Sequence, residues 1–247
     1  MATIDLNADL GEGDAYDQEL LHVVSSCNIA FGGHAGDPAS MQVTAQLASA
    51  RGVAIGAHPG YPDVAGFGRR KAFLIGAELQ KSIMYQIDTL ARIVRDMGGA
   101  LSHVKPHGAL YWDATQDESV AELFVAATRA AASGTAIVGP PRSALQQYAS
   151  KAGLRFIAEA FVDRAYRSDG TLVPRGEPGA VHANINTITA QTVSLTCEGR
   201  VTAQNGAVIP VAAATLCLHG DTPGADVAAR AVRDVLQANG VRIRAPH

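Results

Sequence analysis

Asp9, Glu12, His34, His58, Lys105, His107, Glu159, Asp163 and His219 share a placement. Each lies in or just after a short apolar run of the chain. Carboxylates, imidazoles and an ammonium at such points can carry protons, hold a cation or neutralise phosphate, and a packed core would not choose them. Asn7 and Asn28 add amide hydrogen bonding to the same runs. Arg69 and Arg70 close the Gly-rich segment Gly66-Phe67-Gly68-Arg69-Arg70, Arg164 follows the sixth run, and Asp221 follows the seventh. The sequence has no G-x-x-x-x-G-K-[ST] loop, G-x-S-x-G elbow, H-E-x-x-H pair or dinucleotide fingerprint. A phosphate would therefore rest on Gly-rich turns, helix N-termini and cations, of which Lys105, Arg69 and Arg70 are best placed. The identity of any metal is left open.

The elements that must position these groups alternate. Apolar runs at Thr3–Asn7, Asn28–Gly32, Val53–His58, Leu101–Lys105, Ala136–Gly139, Arg155–Ala160 and Thr215–His219 read as strands. Between them, Leu79, Ile83, Ile87, Leu90, Val94 and Met97 step by three and four, one stripe of a helix from about Ala77 to Met97, with Gly98 behind it. Thr115-Gln116-Asp117-Glu118 reads as a capping box, and Asp37-Pro38 and Thr222-Pro223 as caps before a first-turn proline. A last helix is expected from about Ala225 to Asn239. Strand and helix in alternation imply a parallel sheet, either a seven-stranded barrel or an open doubly wound sheet. In both, the carboxyl ends of the strands share one face, so the polar groups converge. Two longer gaps stand out: a Gly/Pro-rich loop from Pro59 to Phe73, and an excursion from Val162 to Ala214. The excursion holds a turn signal, Asn205-Gly206, flanked by Val201–Ala203 and Ala207–Ile209, that predicts a hairpin.

Bulk properties exclude more than they identify. The 247 residues are 47% apolar with a net charge of −3, ordinary for a globular α/β chain and without bias toward nucleic acid or anionic membrane. No apolar run reaches the ~18–20 residues of a membrane span, and the first residues carry no export signal, so a cytoplasmic location is expected. Three cysteines without a C-x-x-C disfavour a disulfide framework, and Cys217 reads as a small buried hydrophobe. Other polar residues have plain readings. Asp37 caps a helix, Asp14 and Asp17 start the first helix, His22 is on the surface, His182 belongs to the excursion, and His103 is a core histidine. Asp5 is either a buried structural carboxylate or part of the site. His247 has no evident role.

Taken together, several segments resemble the LamB/YcsF family, the A components of the bacterial three-component ATP-dependent 5-oxoprolinase. They are Ile4-Asp5-Leu6-Asn7-Ala8-Asp9-Leu10-Gly11-Glu12, Ser26-Cys27-Asn28-Ile29-Ala30, His34-Ala35-Gly36-Asp37-Pro38, Gly56-Ala57-His58-Pro59-Gly60-Tyr61-Pro62-Asp63, Gly66-Phe67-Gly68-Arg69-Arg70, Lys105-Pro106-His107-Gly108-Ala109-Leu110-Tyr111, Asp163-Arg164-Ala165-Tyr166 and Leu218-His219-Gly220-Asp221. The match runs in order over nearly the whole chain. It departs at Ala30-Phe31-Gly32-Gly33, where the family usually carries Ala-Cys-Gly-Phe/Tyr, and the pocket wall is expected to differ there.

The resemblance implies one domain over residues 1–247, a distorted, TIM-like seven-stranded (β/α) barrel related to the polysaccharide deacetylases, with the excursion and hairpin at about 162–214. It implies cleavage of 5-oxo-L-proline to L-glutamate, coupled to hydrolysis of ATP with Mg2+, in partnership with subunits B and C. On that reading Lys105, Arg69 and Arg70 stabilise phosphate. His34, His58 and His107 orient or protonate the lactam and water, and Asp9, Glu12 and Glu159 hold Mg2+ or act as bases. Asn7, Asn28, Asp163, Arg164, His219 and Asp221 fix the substrate. Two alternatives compete: a metal-dependent carbohydrate deacetylase-like hydrolase working without ATP, and a non-catalytic lactam-binding component.

Overall fold

The computed structural model describes residues 2–70 and 74–246; His247 and the end of the loop expected to reach Phe73 lie outside the described residues. In chain order the elements are β1 (Thr3–Leu10), the one-turn helix α1 (Asp17–Leu20), β2 (Ser26–Ala30), α2 (Pro38–Ala50), β3 (Ala54–His58), α3 (Gly76–Asp96), β4 (His103–Val104), α4 (Gly108–Gln116) and α5 (Glu118–Ala131). They continue with β5 (Ala136–Gly139), α6 (Ala144–Lys151), β6 (Phe156–Phe161), α7 (Ile185–Cys197), β7 (Arg200–Thr202), β8 (Val208–Pro210), β9 (Thr215–Leu218), α8 (Ala225–Ala238) and β10 (Arg242–Ile243).

Seven parallel strands run β1-β2-β3-β4-β5-β6-β9, and β9 pairs back onto β1 from Asp5↔Thr215 to Ala8↔Leu218. That pairing closes the ring and removes the open-sheet alternative. β10 adds to β1 outside the ring, and β7 and β8 form the expected antiparallel hairpin around Asn205-Gly206. The helices wrap the outer face. The α3 stripe buries Leu79, Ile83, Ile87, Leu90 and Val94, and Gly98 follows at a φ of 81°.

Strand alternation explains why the inside of this barrel is polar. Along β1, Leu6, Ala8 and Leu10 join the apolar layer under the helices, while Asp5, Asn7 and Asp9 point the other way, into the ring. β1 thus runs three residues past the expected Asn7, and Asp9 belongs to the strand rather than to the loop after it. β2 likewise begins two residues earlier than expected, so Asn28 sits mid-strand. The lowest layer is a hydroxyl cage, in which Ser25, Ser26 and Thr215 all donate to the Asp5 carboxylate. Burial raises the pKa of Asp5.

Two of the three cap expectations shift. Asp37 does cap α2, accepting from the backbone N–H groups of Ala39 and Ser40. Thr115 lies inside α4 with its hydroxyl on the Tyr111 carbonyl, and Asp117 is the cap of α5. Gly224, at a φ of 80°, begins α8, so Thr222 does not cap it. Among the described residues, no helix is long and apolar enough to cross a membrane.

Candidate active site

The carboxyl ends of the strands open into a cavity of about 420 Å³, the size of a small-molecule site. Asp9, Glu12, His58, Arg69, Lys105, His107, Arg164, His219 and Asp221 line it, with Asp14, Tyr111, Trp112, Phe161 and Arg175 among their neighbours.

On its floor lies a buried lysine. Lys105 follows β4 and is 2% exposed. Its Nζ donates to Asp9 Oδ1 at 2.9 Å and lies 2.8 Å from Glu159 Oε1, with the Cys217 sulfur at 3.2 Å. Burial works against the ammonium, but Asp9 foremost, with Cys217 and Glu159, holds its pKa well above the ordinary lysine value. Asp9, despite burial, is held well below the usual carboxylate range by His58 and Lys105. Amides lock this arrangement. The Asn28 amide donates to Asn7 Oδ1 and Asp9 Oδ1, both at 2.8 Å, and the Asn7 amide donates to Thr215 and Glu159. His103 donates through Nε2 to Asn28 Oδ1 at 2.7 Å, and Tyr111 donates to Glu159 Oε2 at 3.0 Å. His103 is therefore the core histidine expected, and burial pushes it down to about 3. A Cβ on Gly56 would lie 2.2 Å from His103 Nε2, so the strand needs glycine there.

Beside the lysine stands a histidine cluster. Glu12 Oε1 lies 2.9 Å from His34 Nε2, 3.1 Å from His107 Nδ1 and 3.7 Å from His58 Nε2. His58 Nε2 faces His107 Nδ1 at 3.0 Å and Asp9 Oδ2 at 3.3 Å. His34 lies flat on His107, ring centroids 3.5 Å apart, behind the cavity wall rather than on it. Burial depresses His34 to about 4 and also lowers His107, while Asp9 and Glu12 overcome burial to raise His58. The loop after β3 supplies the cluster's outer wall. Phe67 sits edge-on to His34 and His107, and its carbonyl accepts from His107 Nε2. Gly68 has a φ of 61°, and a Cβ on it would come within 2.7 Å of His34, so a side chain is excluded on both counts.

At the opposite wall Asp163 accepts from His219 through both its ring Nδ1, at 2.8 Å, and its backbone N–H, at 2.9 Å. Burial raises the Asp163 carboxyl, but His219 outweighs it and brings the pKa down to about 2. At the mouth, Arg69 and Arg175 both bond Asp221 Oδ2, at 3.0 and 2.7 Å.

The remaining candidates are placed elsewhere. Arg70 turns outward and pairs with Asp63, closing its own loop. Although Arg164 lines the cavity, its guanidinium donates to the Val173 and Ala180 carbonyls and pins the excursion. Asn7, Asn28, Glu159 and Asp163 are not among the residues lining the cavity and instead contact ones that are. Asp9 and Glu159 spend their Oδ1 and Oε1 atoms on Lys105, and Glu12 is ringed by imidazoles, so these three do not form an all-oxygen Mg2+ site. Cys217 is buried as expected, yet it touches the lysine. The departure at Ala30-Phe31-Gly32-Gly33 lies off the cavity. Phe31 packs on Tyr85 of α3, and a Cβ on Gly33 would meet Gln86 Oε1 at 2.5 Å. Sequence reasoning missed Tyr111 and Trp112, one turn into α4 behind His107. It also missed Arg175, whose only signal was the Pro174-Arg175-Gly176 turn in the excursion.

Fold and site together define a class, a closed parallel β/α barrel with a charged cavity at the carboxyl ends of its strands. A family model described as LamB/YcsF family matches residues 4–247. The A subunit of 5-oxoprolinase from Streptomyces avermitilis is 49% identical over 247 residues, 98% of this chain and 99% of that protein. The crystal structure of a lactam utilization protein from Thermus thermophilus superposes with a TM-score of 0.92 at 41% identity, over 99% of this chain and 100% of the other. A structure described as T48 deacetylase with substrate aligns at a TM-score of 0.51 and 10% identity, over 98% of this chain and 87% of the other, a likeness of fold alone. The chain belongs to the LamB/YcsF family.

Proposed function

We propose that this chain is the A component of a cytoplasmic ATP-dependent 5-oxoprolinase, working with subunits B and C on 5-oxo-L-proline. The observation that carries the reading is Lys105, a buried ammonium on the floor of a small-molecule cavity, in a chain that matches the A component of a 5-oxoprolinase end to end. A five-membered lactam is an unactivated amide. Transfer of the ATP γ-phosphoryl group to its oxygen makes that oxygen a leaving group. Water then attacks the ring carbon and the C–N bond opens, leaving the acyl phosphate of glutamate. A second water hydrolyses that and releases phosphate, so that the lactam, ATP and two waters become glutamate, ADP and phosphate. Phosphoryl transfer asks mainly for positioning and charge neutralisation.

The residues divide that work. Lys105 faces the lactam oxygen as negative charge builds on it. Arg69 and Arg175 exchange Asp221 for anionic oxygens at the mouth. Asp9 and Glu12, the cavity carboxylates beside the histidines, take a proton from water, and His58 and His107 orient it. Glu159, Asn7 and Asn28 hold Lys105 and Asp9 in place. ATP enters with Mg2+ on its own phosphates. The test is glutamate and ADP formation from 5-oxoproline and ATP, with purified partner subunits, with and without this chain. Both products are expected only when the chain is present. Equal product formation without it would refute the reading.

A further inference from the structure

His58 and His107 each spend one ring nitrogen on a backbone carbonyl. His58 Nδ1 lies 2.8 Å from the Lys105 oxygen, and His107 Nε2 lies 2.9 Å from the Phe67 oxygen. A carbonyl only accepts, so both of those nitrogens carry the hydrogen. With both rings neutral, the two remaining nitrogens, His58 Nε2 and His107 Nδ1, present lone pairs to each other at 3.0 Å. Glu12 Oε1, a third acceptor, stands 3.1 and 3.7 Å from His107 Nδ1 and His58 Nε2. Three acceptors face one another and call for a cation between them.

The geometry points to a binding site for a divalent transition-metal ion of the zinc class, held by His58 Nε2, His107 Nδ1 and Glu12 Oε1. A point equidistant from these three atoms lies about 1.9 Å from each, so an ion with ligand bonds of about 2.0–2.1 Å sits just off their plane. Two imidazoles and one carboxylate suit such an ion better than Mg2+, which prefers oxygen donors. The surroundings are those of a metal centre. Each histidine is fixed by a carbonyl on its far nitrogen, and His34 donates to the ligating carboxylate from a position stacked on His107. All three ligands line the cavity while His34 does not, so the open coordination positions face the space where a water or a carbonyl oxygen can enter. With Glu12 as a ligand, Asp9 remains as the carboxylate for proton transfer. The site stands on geometry independent of the lactam reading.

A proton on His58 Nε2 is the competing cation, and metal titration separates the two. Full-length protein stripped with a chelator is titrated with Co2+, read by visible absorption and calorimetry, and then with Zn2+ and Mg2+ as competitors. The expected result is one equivalent of Co2+ with ligand-field bands, displaced by Zn2+ and not by equimolar Mg2+. Glu12→Gln and His107→Ala are each expected to weaken Co2+ by about 100-fold or more, and His34→Phe, which keeps the stacked ring, by about 10–100-fold. Circular dichroism confirms the fold, and Glu12→Gln retains the side-chain volume should His107→Ala not fold. His219→Ala, on the far wall, is expected to leave binding unchanged. Absence of stoichiometric Co2+ binding, or binding that survives Glu12→Gln and fails in His219→Ala, would overturn the assignment.

Discussion

The lysine centre and the histidine centre share Asp9 and the same end of the barrel, yet they solve opposite problems. Around Lys105, a permanent cation sits between two carboxylates, which also accept from the Asn28 and Asn7 amides and the Tyr111 hydroxyl. Around Glu12, His58 and His107, acceptors face one another, and the Lys105 ammonium stays on the Asp9 and Glu159 side. The first centre is complete as folded, and removing its cation leaves uncompensated buried charge. The second is arranged for something that arrives. A satisfied polar network holds its own geometry and can present a fixed charge to the cavity, whereas an unsatisfied one marks where a further ligand goes.

The largest effect tests the first half of that contrast. Lys105→Met removes the cation from two buried carboxylates and is expected to cost about 3–5 kcal/mol in urea unfolding. Coupled glutamate formation is expected to fall by about 100-fold or more. Adding Glu159→Gln should return part of the stability, a coupling of about 0.5–3 kcal/mol in the double-mutant cycle. A Lys105 variant with normal stability and full coupled activity would collapse the distinction.

Asp163 comes next. Its carboxyl is held at about 2 in the folded protein against an ordinary 3.8, so its ionised form contributes stability above pH 4 that disappears as pH falls toward 2. The stability difference between the native chain and Asp163→Asn should therefore shrink by about 2 kcal/mol over that window. A pH-independent difference would mean that His219 and Asp163 are not an ion pair.

Metal-free Glu12→Gln should change stability by no more than about 1 kcal/mol, because its main retained contact is one hydrogen bond from His34. A loss as large as that of Lys105→Met would show the histidine centre to be as structural as the lysine centre. The smallest expected effect separates two adjacent arginines. Arg69→Ala is expected to raise the KM for the anionic substrates severalfold, since Arg69 lines the mouth, while Arg70→Ala, whose exposed guanidinium pairs with Asp63 within its own loop, keeps KM within about twofold.

Much of this was legible in the chain. The α3 stripe, the Asp37-Pro38 cap and the hairpin at Asn205-Gly206 follow from periodicity and turn chemistry, and the structure keeps them within a residue or two. The convergence of Asp9, Glu12, His58, Lys105, His107, His219 and Asp221 follows from parallel topology, which puts every strand's carboxyl end on one face. Roles were less legible. Arg69 and Arg70 are neighbours of the same chemistry, yet one faces the cavity and the other faces Asp63. Arg164 reads from sequence as a substrate or phosphate ligand and instead ties down the excursion, while Arg175, with no strand before it, reaches the mouth.

What the sequence determined by itself is the alternation of elements and the set of polar residues that no apolar layer could absorb, because periodicity and residue chemistry are local. Only the tertiary structure decided that the ring closes through β1 and β9, that Asn7 and Asp9 turn inward within a longer β1, and that Lys105 is clamped while three acceptors beside it are left facing one another. Those outcomes depend on strand register and on carbonyls brought from the chain positions of Phe67 and Lys105. Register is set by the packing of the whole barrel rather than by any one segment.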